Sequence, residues 1–218
     1  MNLQLFSGSG NSSPGGGWTG TGGVGAGDIL ETRSLISERG GNQELVDETL
    51  SVFKDVHDEY GVQVNDIQIA KMKAGAGTMA YFDSDGNIAI NEAYFNKGRM
   101  EAAYKKCVES GYHPSNGNKT ATQAVAAHEL GHKLTEAAGT KLKMAGFHNI
   151  DKAADAILTE ARKTTRHRSN AQMAGRISGY AKTKPAEAVA EAFADVYCNG
   201  RKARSESKAI VTVLNKYL

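Results

Sequence analysis

The chain has 218 residues, 40% of them hydrophobic and 23% charged, with a formal net charge of +2. That balance fits one globular domain with its own core and decides nothing about partners. No run of about 18 apolar residues occurs, which argues against a helical membrane span, and two cysteines, Cys107 and Cys198, read as buried thiols rather than a disulfide scaffold.

The opening Met1-Asn2-Leu3-Gln4-Leu5-Phe6 is a short apolar stretch without a basic start, so no secretory signal is expected. Residues 7–27 are dominated by Gly, Ser, Thr and Asn around a lone Trp18, a composition that buries too little to offset its ordering entropy. The chain therefore divides into a flexible arm, 1–27, and a folded domain, 28–218. A short helix is expected over 28–39 and a firmer one over 42–60, where Leu45, Thr49, Val52, Phe53 and Val56 keep helical spacing and Gly61 closes. Val62, Val64, Ile67 and Ile69 alternate as a strand over 62–70. Strands at 78–82 and 87–91 flank Asp83-Ser84-Asp85-Gly86, a hairpin signal. Residues 91–111 read as largely helical, and His113-Pro114 through Lys119 as a loop.

Next comes His128-Glu129-Leu130-Gly131-His132. Thr120 and Gln123 form a capping box for a helix over 121–138, with Gly139 in the C′ position and Gly131 open to close approach by another element. On a helix, residues four apart share a face, offset by roughly 40°. Two imidazoles so placed can bind one Zn²⁺, and the glutamate beside the first can take a proton from an activated water. Further helices are expected over 150–168, over 185–199 with Pro185 at its first position and Gly200 beyond, and over 205–217. The fold class is α+β, mostly helical with a small mixed sheet.

A catalytic zinc takes three protein ligands and keeps one open position. Downstream candidates are His148, His167 and the carboxylates Glu187, Glu191 and Asp195, which recur every four residues on one face of the 185–199 helix. The sequence after His132, Lys133-Leu134-Thr135-Glu136-Ala137-Ala138, lacks the glycine turn and third histidine of the metzincin pattern, which leaves a glutamate-completed site. Spacing alone does not choose between Glu187 and Glu191.

These residues carry a resemblance. Ser178-Gly179-Tyr180-Ala181, then Pro185-Ala186-Glu187-Ala188-Val189-Ala190-Glu191-Ala192-Phe193-Ala194, taken with the His-Glu motif, resembles the catalytic half of the anthrax lethal factor and Pro-Pro endopeptidase metalloproteases. The resemblance spans about residues 74–199 and differs in a longer segment between His132 and Tyr180. It implies a zincin-like metallopeptidase domain with His128, His132 and Glu187 on the metal. It further implies Glu129 as general base, Tyr180 as hydrogen-bond donor to the oxyanion, and Glu191 orienting a ligand imidazole. The first six residues and the Gly/Ser-rich arm resemble the start of tailed-phage and prophage structural proteins. That implies association with phage structural proteins, in the bacterial cytoplasm or the virion.

The expected function is a zinc-dependent endopeptidase acting on a peptide or protein substrate, hydrolysing the bond with a zinc-activated water and Glu129 as base. The hairpin around Asp85-Gly86 is expected to offer an edge strand to that substrate. A rival from another class is a virion structural protein whose zinc only stabilises the fold. The basic residues between Arg162 and Arg176 raise nucleic-acid binding, but no aromatics interleave them and a solvated face accounts for them better.

Overall fold

The computed structural model describes residues 29–38, 42–73 and 77–218. The expected arm over 1–27 lies outside the described residues. Within them the protein is α+β, with a small four-stranded mixed sheet and a larger helical part. In chain order the main elements are β1 (Ile29–Ser34), α1 (Gln43–Tyr60), β2 (Ile67–Met72), β3 (Ala80–Phe82), β4 (Ile88–Asn91) and α2 (Lys97–Glu109). Then follow α3 (Ala121–Lys141), α4 (Ile150–Arg162), α5 (Asn170–Ala174), α6 (Pro185–Asn199) and α7 (Ser205–Leu214). Among the described residues no helix is long and apolar enough to cross a membrane.

The sheet order is β1-β2-β4-β3. The hairpin forms as expected: β3 and β4 pair antiparallel, and the Asp83 carboxylate accepts from the Asp85 and Asn87 amides to hold the turn. β2 joins β4 in parallel, Ile67 opposite Ile88, so its ladder starts at Ile67 rather than at Val62. Val62 and Val64 pack instead against the main helical core.

Residues 29–34 are a strand where a helix was expected, followed by a single 3-10 turn at Leu35–Glu38. Antiparallel pairing with β2 supplies hydrogen bonds that override weak local helix propensity. β3 stands at the sheet edge, and among the described residues Ala80, Tyr81 and Phe82 are buried there, so the expected edge strand is not exposed along these positions.

α2 starts at Lys97, capped by the Asn96 side chain, and ends at Glu109 within the expected 91–111, and three other helix ends differ, each for a local reason. α3 runs through Gly139 to Lys141, because Gly139 is a packing glycine. A Cβ there would lie 2.7 Å from the Met144 carbonyl oxygen. α4 stops at Arg162, where the Thr164 and Thr165 hydroxyls donate to the Ala161 and Arg162 carbonyls, and Ser169 then caps α5. α7 gives way to a 3-10 turn at Asn215–Tyr217.

α3 is the central element. Ala126, Leu130 and Leu134 join Phe82, Val189 and Phe193 in one core cluster, while Ala121, Ala124 and Val125 join Ile69, Ile90 and Tyr180 in another. Its closest partner is α6. A Cβ at Gly131 would come within 2.7 Å of Ala190 Cα, so only glycine opposite alanine lets the two helices approach this far. That approach brings side chains from α3 and α6 into mutual contact.

Candidate metal centre

His128, Glu129 and His132 lie in the middle of α3, each at most 2% exposed. The helix begins with the expected reciprocal capping box between Thr120 and Gln123. Across from it, α6 starts at Pro185, and the Asp151 carboxylate of α4 accepts from the Ala186 amide in place of a local cap. Glu187 sits in the first turn, where the helix dipole favours an anion.

The two helices meet at Glu187. Its Oε2 lies 3.1 Å from His128 Nε2 and 3.3 Å from His132 Nε2. One turn later, Glu191 Oε1 lies 2.9 Å from His128 Nδ1. The structure thus separates the two glutamates that spacing left equivalent: Glu187 meets the two Nε2 atoms, and Glu191 stands behind His128. Tyr180, in a 3-10 turn at Tyr180–Lys182, is buried with its ring centroid 5.8 Å from that of His128.

The remaining candidates do not join. His148 is exposed, and His167 pairs with Glu206 at 2.9 Å on another part of the molecule. Asp195 accepts from Ser207 Oγ and the Arg204 amide. Lys163, Arg166, Arg168 and Arg176 are exposed. Cys107 and Cys198 are buried free thiols.

The electrostatics follow from burial. A carboxylate only accepts, so His128, with a carboxylate oxygen at each nitrogen, carries two protons in the metal-free protein. Burial works against that charge, but the hydrogen bonds to Glu187 and Glu191 outweigh it and push His128 up to about 10. Burial likewise opposes ionisation of Glu187, and the two histidines overcome it, holding that carboxyl down to about 2. Glu191 is also lowered, burial being outweighed by His113 and His128. Glu129 is pushed up to about 8, by burial first, with the charge on His128 opposing and Glu187 reinforcing. His132 is lowered, mainly by burial, and the Tyr180 hydroxyl is raised far above its ordinary value by burial and the surrounding carboxylates.

Does this group suit a metal? One donor atom each from His128, His132 and Glu187 lies within 4.8 Å of the others, all three residues buried. Two imidazoles and a carboxylate form a donor set used for divalent ions. Glu187 Oε1, His132 Nδ1 and both Glu129 oxygens are buried without a hydrogen-bond partner, a cost that a protein rarely sustains without a use. A cation can take the place of the proton on His128 Nε2. These residues could therefore hold a metal ion.

The sequence assigned no role to two participants, His113 in the loop after α2 and Ser178 at the head of the Tyr180 motif. His113 Nδ1 lies 2.8 Å from the same Glu191 Oε1 that meets His128, and Ser178 Oγ donates to Glu191 Oε2 at 2.6 Å. His113 is 78 positions from Glu191, in a loop without periodicity. The Gly179 and Tyr180 amides donate to the Gly111 and Tyr112 carbonyls, and this pairing fastens the Tyr180 turn to that loop. Comparison with protein-family models, curated proteins and solved structures finds no match to the chain.

Proposed function

We propose that the chain is a zinc-dependent endopeptidase with a zincin-like domain, akin to the lethal factor and Pro-Pro endopeptidase proteases. The observation that supports it is the meeting of His128 Nε2 and His132 Nε2 at one oxygen of Glu187, with an unengaged carboxylate, Glu129, on the same helix. His128, His132 and Glu187 would hold Zn²⁺, which when bound supplies Lewis-acid polarisation of a peptide carbonyl and of water. Glu129 takes a proton from water and returns it to the leaving amine. Its burial keeps it a stronger base than an exposed carboxylate, and a neighbouring dication favours its anionic form. Tyr180, held protonated, donates to the oxyanion. Glu191 fixes the His128 ring by accepting from Nδ1. The sequence of the first six residues favours a phage or prophage setting, with peptide or protein as the substrate.

A second reading is a phage head-associated protein whose zinc is only structural. Burial favours it, since Glu129 is 0% exposed and both its oxygens lie where a substrate and water would have to reach them. Glu129→Gln separates the two. The protease reading expects zinc retained at full stoichiometry and peptide-library cleavage reduced by about 10²–10⁴-fold. Chelator-sensitive cleavage that survives in Glu129→Gln, or no cleavage by the zinc-loaded wild type, sinks it.

A further inference from the structure

We propose that His113 is a positioning residue of the metal centre, acting on His128 through one shared oxygen of Glu191. The proposal rests on the reading of His128 as a metal-holding residue.

Glu191 receives His128 Nδ1 at 2.9 Å and His113 Nδ1 at 2.8 Å on the same Oε1, and Ser178 Oγ at 2.6 Å on Oε2. Because a carboxylate oxygen only accepts, both Nδ1 atoms are protonated and both rings donate. Ser178 is itself fixed, since its Oγ accepts from the Ala181 amide at 3.0 Å. Glu191 therefore cannot turn toward His128 independently of His113.

His113 in turn is held by its surroundings. Its ring stacks on Tyr104 with centroids 5.7 Å apart and planes 17° apart. The edges of Tyr112 and Tyr180 close it from other sides, at 5.0 and 5.4 Å. Tyr104 is anchored by its hydroxyl, which donates to the Pro114 carbonyl. A ring boxed by three tyrosines presents Nδ1 in one direction, toward Glu191. The consequence for His128 is that a metal ion displaces the Nε2 proton and not the other: the Nδ1 proton stays committed to Glu191, and the Nε2 lone pair so freed faces the His132–Glu187 side. Outer partners of this kind contribute about 10–100-fold to metal affinity.

The alternative role for His113 is to fill the tyrosine box. Two substitutions divide the roles. His113→Phe keeps an aromatic ring and removes the donor, whereas His113→Asn keeps a donor near the Nδ1 position and empties part of the box. Zinc affinity is measured by competition with a chelating indicator for the wild type, both variants and His128→Ala. The expected result is zinc binding weakened about 10–100-fold in His113→Phe and largely restored in His113→Asn. The reverse order, or wild-type affinity in His113→Phe, overturns the proposal.

If His128→Ala binds zinc as the wild type does, the underlying site reading fails instead. Nitrogen NMR of the zinc-loaded wild type gives a readout that needs no variant. Protonated Nδ1 on both His113 and His128 is expected, and an unprotonated His113 Nδ1 would refute the shared-oxygen arrangement.

Discussion

α6 carries three buried acids one turn apart, and its two halves use them differently. In the first half, Glu187 and Glu191 meet imidazoles 55 to 78 positions away in the chain. In the second half, Asp195 meets only its own neighbourhood: Asn199 Nδ2 at 2.9 Å, the Arg204 amide at 3.0 Å and Ser207 Oγ at 2.6 Å, none more than 12 positions away. Asp195 thereby fastens the start of α7, whose N-cap Arg204 makes no side-chain cap of its own. Both of its oxygens are engaged, whereas Glu187 Oε1 is not. An acid satisfied by donors close in sequence is a device of the fold. An acid that meets only imidazoles, with an oxygen to spare, is one that a cation can share.

The widest break in that comparison comes from removing one charge at each end. Glu187→Gln is expected to weaken zinc binding by more than the roughly 100-fold upper range for an outer partner, because a direct donor is lost. Asp195→Asn is expected to leave zinc affinity unchanged and to cost about 1.5–3 kcal/mol of unfolding free energy, the scale of a hydrogen bond to a charged group. Zinc titration and denaturant unfolding of both variants check this. Equal loss of zinc in the two would mean that the halves of α6 are not separate in function.

That same helix shows what a sequence makes legible. Pro185 at its start and Gly200 at its end are local signals, and the observed helix runs between them. Thr120 with Gln123, and the Asp83 to Gly86 turn, are local as well, and each forms as read. Gly131 also showed its purpose early, as a point of close approach, though not that Ala190 lies opposite. What stayed hidden depends on distant pairing. β1 is a strand because Ile29 finds Met72, and nothing within residues 29–34 announces that partner. Spacing alone could not choose Glu187 over Glu191 for the Nε2 atoms, because that depends on how far α6 slides along α3; only the family resemblance implied the choice. His113 enters through a loop, and loops have no period to read.

Acidity sharpens the comparison with a smaller effect. Glu187 and Glu191 are held below the ordinary carboxylate value of 4.5, so their stabilisation is present above it and fades as pH falls toward their lowered values. Glu129, raised from 4.5 to about 8, favours folding when protonated, and that contribution is lost as pH climbs between those values. His128, raised from 6.5 to about 10, contributes fully below 6.5 and progressively less as pH rises toward 10. His132, lowered from 6.5, adds stability as pH rises to 6.5 and offsets the early loss at Glu129, so with chelator present the melting temperature is expected to peak near pH 4.5–6.5 and to fall from there to pH 9. If His128 holds zinc as proposed, binding displaces its proton, so affinity is expected to grow with pH and to offset the alkaline fall. Parallel melting curves with and without zinc across that range would count against His128 as a ligand.

The smallest effect is expected at the other histidine–glutamate pair. His167 Nε2 lies 2.9 Å from Glu206 Oε1, a separation no longer than that of His128 from Glu187, and distance alone does not distinguish them. Burial does: the side chains of His167 and Glu206 are 17% and 15% exposed, against 3% and 1% for His128 and Glu187. Water reaches the outer pair, screens its charge and solvates whichever partner remains, so such a pair contributes about 0–1 kcal/mol. The inner pair has no such recourse, because removing either member leaves a buried group unmatched. His167→Gln is accordingly expected to shift unfolding by no more than about 1 kcal/mol and to leave zinc affinity untouched. A zinc defect in His167→Gln would move the metal centre away from α3 and α6.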